Sequence, residues 1–238
     1  MVVTMSKFVI AIDAGHGVNG DSGATHRNGR READDTFRIA NAINAEAKKR
    51  GIATVMTRTA ASSGAIDRAG IARNSGAGVF LCVHRNAFNG NAFGFETWTP
   101  RTSGVKSSEI AQAVQKRCVA VGVNADRGVK HDANNAFPLI ENVRNSGIPA
   151  ILIEYNFVDN DKDNELFDKN FDGYVRATVD AVEEVFGVQT VSAPKPEPTR
   201  EKVLFRVQVG AFSMRANAER LRDELRGKGY SDAFVRED

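Results

Sequence analysis

Three short runs, Phe8 to Ile12, Val79 to Val83 and Ala150 to Ile153, are apolar without alternation, and they constrain the fold of this chain more than any other feature. A strand with one face in water alternates apolar and polar residues. A run that is apolar on both faces belongs at the centre of a sheet covered by helices on both sides. The first run continues through Asp13-Ala-Gly to His16, the second ends on His84 and the third on Glu154. In an open α/β sheet the carboxyl ends of the strands line the ligand crevice, so these residues are expected to meet at one edge.

The stretches between the runs supply the helices. After the polar, Gly-rich loop Val18 to Arg31, apolar residues recur at Phe37, Ile39, Ala40, Ile43 and Ala47, and Gly51 supplies the stop, which predicts a helix over 33–50. Further strands are expected at Ile52 to Met56, Gly94 to Trp98 and Phe137 to Ile140, and helices at 65–74, 107–121 and 163–186, the last with a break at Gly173. Asn124 to Asn135 reads as irregular. Strands alternating with helices imply an α/β fold with a mostly parallel, doubly wound sheet.

Ser192-Ala-Pro-Lys-Pro-Glu-Pro cannot continue a helix and reads as an extended spacer. It divides a main domain, 1–187, from a tail, 202–238, across a Pro-rich linker, 188–201. The tail reads as one small βαβ unit, with strands at Val203 to Val209 and Ala233 to Val235 and a helix over 214–228. Such a unit is too small to bury a satisfactory core alone.

Composition excludes several classes. With 42% apolar and 26% charged residues the chain is that of a folded globular protein, and a net charge of +2 gives no reason to expect a nucleic-acid partner. Cys82 and Cys118 are too few for a disulfide framework and read as buried thiols. No run reaches the ~18 apolar residues of a membrane helix, so no membrane insertion is expected. The first residues lack the features of a signal peptide, so the reading is a protein made in the cytoplasm and released by other means.

His16, Glu32, His84 and Glu154 together carry what a mononuclear zinc hydrolase needs. Two imidazoles and one carboxylate leave the fourth position of tetrahedral zinc open for water, and a second carboxylate serves as proton carrier. Each has a plainer reading. Glu32 would complement a helix dipole at an N-terminus, whereas Glu154, ending a central apolar strand, would be costly to bury unless paired or beside a metal. His26 and His131 lie in polar stretches and read as solvated or close to substrate. Cys82 shares a strand face with His84, and packing is its expected role. Asn86 and Glu96 are read as ligand-orienting or substrate-binding residues, with ordinary surface roles equally open. The Gly15 to Gly23 stretch lacks the spacing of a phosphate loop, so its glycines are expected to let backbone pass close to metal and substrate.

Asp13-Ala-Gly-His16-Gly, Asp21-Ser-Gly-Ala24, Asn28-Gly29 and Glu32, then Met56-Thr-Arg58, Arg68, Ala72-Arg-Asn74, Cys82-Val-His84-Arg-Asn86-Ala87, Gly94-Phe-Glu96 and Leu152-Ile-Glu154-Tyr-Asn-Phe157-Val-Asp-Asn160 resemble the zinc-dependent N-acetylmuramoyl-L-alanine amidases of the Amidase_3 type. The resemblance covers about residues 6–187. It implies a six-stranded mixed sheet with helices on both faces and one Zn2+ held by His16, Glu32 and His84. It also implies Glu154 as the catalytic carboxylate, general base and then acid, in cleaving the bond between N-acetylmuramic acid and L-alanine of bacterial peptidoglycan. Three departures stand out: Cys82 in place of the usual Ser, Asn156 in place of Gly, and no Asp at the familiar distance after Thr57-Arg58. In the tail, Phe205-Arg-Val-Gln-Val-Gly-Ala-Phe-Ser, Asn217-Ala-Glu-Arg-Leu and Gly229-Tyr resemble the first half of a SPOR-type peptidoglycan-binding repeat. Such a half either belongs to a longer chain or pairs with that of a second copy in a homodimer. The combined expectation is a wall-lytic amidase, a phage-type lysin or a host autolysin. The alternatives are another zinc hydrolase of wall amides and a peptidoglycan-binding module with a residual metal site.

Overall fold

The computed structural model describes residues 8–59, 65–188, 209–230 and 233–236. The chain divides into two units, Met1–Pro194 and Lys195–Asp238.

In the first unit, six strands form one mixed sheet in the order β2-β1-β3-β6-β4-β5. They are β1 (Val9–Ala14), β2 (Ala53–Met56), β3 (Val79–Asn86), β4 (Phe95–Thr99), β5 (Asp126–His131) and β6 (Ala150–Phe157). β2, β1, β3 and β6 run parallel, β4 turns antiparallel against β6, and β5 follows β4. The α/β sheet expected from the sequence is therefore present, with β1 and β3 adjacent and the chain crossing outward from them in opposite directions. Their carboxyl ends form the switch point where such folds open a crevice.

The unbroken apolar runs feed two cores. Ile10, Ile12, Leu81, Val83, Ile151 and Ile153 face α1 (Glu32–Lys49), α3 (Val105–Val121) and α6 (Phe171–Phe186), while Ala11, Phe80, Cys82, Ala150 and Leu152 face α2 (Arg68–Asn74) and α4 (Pro138–Asn145). This is the physical reason the runs do not alternate. α1 buries Ile39, Ala40, Ile43 and Ala47 as its spacing predicts, and Gly51 ends it at a φ of 79°. In α2, Asp67 caps the N-terminus by accepting from the Gly70 N–H at 2.7 Å.

Four expectations are corrected. Asn124 to Asn135 is not all irregular: Asp126–His131 forms edge strand β5, exposed enough to read as polar. Phe137 to Ile140 is not a strand, because Pro138 opens α4 there. The span 163–186 holds two helices, α5 (Asp161–Lys169) and α6, which part at Asn170 rather than Gly173. β3 and β6 also extend beyond His84 and Glu154, which lie inside the ladder as register partners.

The second unit contains helix α7 (Arg215–Gly227), which buries none of its residues. The expected strand Val203 to Val209 falls, but for Val209, outside the described residues, as does most of the linker 188–201. Ala233 to Val235 carries no strand pairing among the described residues.

Candidate metal centre

The site is assembled where β1, β3 and the start of α1 meet. His16 follows β1 in a left-handed conformation, at a φ of 59°. A non-glycine residue there must be held by its surroundings. Arg68 of α2 does this: its guanidinium donates to the carbonyls of Ala14 and His16, each at 2.7 Å, and pairs with the fully buried Asp13 at 2.7 Å. Thr57 and Cys82 also donate to Asp13. Glu32, the first residue of α1, reaches into the same space. Its two carboxylate oxygens accept from the Ala24 and Arg85 backbone N–H groups at 2.9 and 3.1 Å.

These supports bring three donors together. His16 Nε2 lies 3.2 Å from Glu32 Oε2, and His84 Nδ1 lies 2.9 Å from Glu32 Oε1. One donor atom from each of the three residues falls within 4.8 Å of the others. The imidazole rings meet edge to face, 4.9 Å apart. On the far side of His16, Nδ1 lies 2.8 Å from an Asp21 carboxylate oxygen, a contact of the kind that fixes the tautomer of an imidazole in metal sites. The backbone passes close by, as expected of the glycines: a Cβ on Gly15 would stand 2.5 Å from the His84 ring, and one on Gly23 would stand 2.6 Å from that of His16.

The electrostatics are those of a site made for a cation. Burial would lower the His16 pKa, but the hydrogen bonds and charges of Glu32 and Asp21 raise it from 6.5 to about 9. Burial opposes ionisation of Glu32 too, yet the two imidazoles hold its carboxyl well below the usual range. A second group, Asp13, Cys82 and His84, also clusters. It is the poorer donor set: Asp13 is already paired with Arg68, and burial followed by the Asp13 charge pushes the Cys82 thiol well up, away from the thiolate a metal requires. Cys82 is accordingly a packed hydrogen-bond donor.

Glu154 is the register partner of His84 on the neighbouring strand, and Glu96 of β4 is its partner on the other side. One face of the sheet therefore carries His84, Glu154 and Glu96 in a row. Glu154 is buried and its Oε2 has no hydrogen-bond partner among the described residues. Burial, then the negative charges of Glu32 and Glu96, push its pKa well above that of an ordinary carboxyl. Just beyond it the β3–β6 register shifts, with Asn156 as the additional residue at a φ of 63°, a bulge of the kind that re-aims side chains beside functional sites.

The remaining candidates separate. His26 is buried rather than solvated, with Nε2 3.0 Å from Asp161, and His131 closes β5 in an exposed position. Glu96 is not a surface residue. It is buried and accepts from Asn86, Trp98, Arg127 and Lys130. The sequence alone points to no chemical role for Arg68, Asp21, Arg127 or Lys130. The clue available for Arg68 was its position, ten residues past Thr57-Arg58 and just after Asp67, a helix-capping residue.

An open α/β sheet thus carries a possible metal-binding group, His16, Glu32 and His84, at its switch point, with a buried carboxylate alongside. The chain belongs to the N-acetylmuramoyl-L-alanine amidase family, Amidase_3, which matches residues 10–184. A SPOR domain matches residues 201–238. The chain is 30% identical over 234 residues to a sporulation-specific N-acetylmuramoyl-L-alanine amidase of Bacillus subtilis, covering 96% of this chain and 85% of that protein. It is 31% identical over 206 residues to an endolysin of Bacillus phage SPP1, covering 81% and 72%. Among solved structures, an N-acetylmuramoyl-L-alanine amidase from Clostridium difficile 630 superposes with a TM-score of 0.68 at 31% identity, covering 77% of this chain and 100% of that one.

Proposed function

We propose that this chain is a zinc-dependent amidase that hydrolyses the bond between the lactyl carbonyl of N-acetylmuramic acid and the nitrogen of L-alanine in peptidoglycan. The reading rests on one observation: donor atoms of His16, Glu32 and His84 lie within 4.8 Å of one another, beside the buried carboxylate of Glu154. The residues fit the ion. Two imidazoles and a carboxylate are the donor set of an open catalytic zinc site, the outer nitrogen of His16 is already held by Asp21, and the anionic Glu32 lies between the rings.

When bound, zinc supplies Lewis acidity, which polarises an amide carbonyl and lowers the pKa of water towards about 7. The chain's own groups do the rest. Glu154 takes the proton from the attacking water and gives it to the departing nitrogen, so the C–N bond breaks to a lactyl carboxylate and a free alanine amine. Its burial holds its pKa above that of an ordinary carboxyl, which makes its carboxylate the stronger base towards the water's proton. Arg68 and Asp21 fix His16, while the Ala24 and Arg85 amides fix Glu32. The tail, matched to SPOR, adds affinity for the wall. No helix among the described residues is long and apolar enough to cross a membrane.

Mass spectrometry of digested walls, with metal analysis of the purified protein, tests this. New N-terminal alanine and one zinc per chain are expected, and Glu154→Gln is expected to keep the zinc while losing at least ~100-fold in rate. New reducing termini, or a Glu154→Gln protein that clears walls at the normal rate, would overturn the reading.

A further inference from the structure

We infer that Lys130 and Arg127, gathered on Glu96, form a carboxylate-binding subsite for the peptide stem, which makes the enzyme selective for stems whose carboxylate next to the alanine is free. The inference rests on the amidase reading and adds a determinant of specificity to it.

The row of side chains that begins at the metal centre does not end at Glu154. It crosses to Glu96 on β4, and there both Arg127 Nε and Lys130 Nζ of β5 converge on one oxygen, Oε2. The other oxygen accepts from Asn86 Nδ2 at 2.8 Å and Trp98 Nε1 at 2.9 Å. A single carboxylate thus receives four donors, two of them cationic. Buried Glu96 is the anchor, with a side chain 3% exposed, whereas Arg127 and Lys130 are 34% and 32% exposed. The cations are immobilised by a buried partner and presented to solvent, unlike a surface ion pair whose members move together in water.

Their donors are not exhausted. Lys130 has three N–H groups and uses one on Glu96. Arg127 has five and places Nε on Glu96 and Nη1 on the Phe93 carbonyl at 3.5 Å. The surroundings give a strand-like ligand something to lie on: Lys130 stands 5.1 Å over the Trp98 ring, and Trp98 meets Phe137 edge to face. The span fits as well. Neighbouring strands are about 4.8 Å apart, so Glu96 lies roughly 10 Å across the sheet from His84. That is about three residues of extended peptide at ~3.4 Å each, a span within which the carboxylate of the residue after alanine lies. A stem with its scissile amide at the metal centre would bring that carboxylate towards the two cations, an acid that a primary amide replaces without change of shape.

The test uses two synthetic muramoyl tripeptides, alike except that the carboxylate following alanine is free in one and a primary amide in the other. Full-length zinc-loaded wild type, Lys130→Met and Arg127→Gln are compared on both. Wild type is expected to favour the free acid roughly tenfold in kcat/KM, chiefly through KM, as a charge-assisted hydrogen bond would give. In each variant the ratio is expected to fall towards one. Slowing through disturbed packing affects both substrates alike and cancels in the ratio, and Arg127→Gln serves should Lys130→Met not fold. A ratio near one in wild type, or an unchanged preference in both variants, would overturn the subsite while leaving the amidase reading intact. A wild type that releases alanine from neither substrate would overturn the amidase reading, and the subsite with it.

Discussion

Gly15 must lack a side chain because the His84 ring occupies the place where one would be. A Cβ there would lie 2.5 Å from both Cε1 and Nε2 of His84. The backbone at Gly15 is not left-handed, so the constraint is contact rather than φ. Gly15→Ala is therefore expected to leave the strand intact and push His84 off its position. Zinc affinity should fall by about 10–100-fold, as when a ligand loses its supporting contacts, with about 1–3 kcal/mol of stability lost to overpacking. Titration with a zinc chelator, alongside thermal melts of the chelated protein, measures the two effects separately. Unchanged zinc affinity would show that the ring finds an equivalent place. At this scale much was legible. A glycine preceding His16, two histidines and two glutamates carried the centre, because ligand chemistry restricts residue type. The role of Asn156 was not legible. It stood out as a departure from the family's glycine, and its φ of 63° gives the reason, since Asn is among the few residues that tolerate that region without a missing Cβ.

Elements were legible in proportion to how fully they are buried. The central strands and α1 follow from composition and period, whereas β5 is an exposed edge strand whose alternation Asp126-Arg-Gly-Val-Lys-His reads as loop, and α4 starts at a proline inside the apolar run Phe137 to Ile140 that reads as a strand. The site depends on a short element of this weaker kind. Helix α2 has seven residues, too few to be stable by itself. It is fixed by the Asp67 cap at its start, and Arg68, the next residue, clamps the Ala14 and His16 carbonyls and Asp13. Asp67→Ala is expected to cost about 1 kcal/mol in urea unfolding, the usual loss of an N-cap. Arg68→Gln is expected to cost more, about 3–5 kcal/mol, because it takes the cationic partner from buried Asp13. It should also weaken zinc binding, since His16 loses what holds its left-handed backbone. If Arg68→Gln matched Asp67→Ala in stability and bound zinc normally, the clamp would have no part in the centre.

Over the whole molecule, the two units differ in how they meet the demand for a core. The first closes two apolar layers around one sheet, and its counterpart from Clostridium difficile 630 is covered completely by 77% of this chain. An element set of that extent is thus sufficient for an amidase fold. Among the described residues, the second unit offers one helix with no buried residue, and Val209, Phe212, Met214, Tyr230 and Phe234 are exposed. The linker expectation rests on three alternating prolines, and both it and the tail's first strand fall on residues that lie mostly outside those described. A chain ending at Gly187 is therefore expected to fold, bind zinc and cleave soluble muropeptides within about twofold of the full chain, since ΔΔG values between separated parts add independently. Its affinity for sedimented walls is expected to fall by at least ~10-fold, because a tethered second contact raises apparent affinity through effective concentration. Pairing of the tails in a homodimer would make the full chain sediment at twice the mass of a monomer, and the shortened chain as a monomer. If the two proteins bound walls equally and sedimented as the same species, the tail would contribute neither targeting nor association, and wall recognition would reside wholly in the first unit.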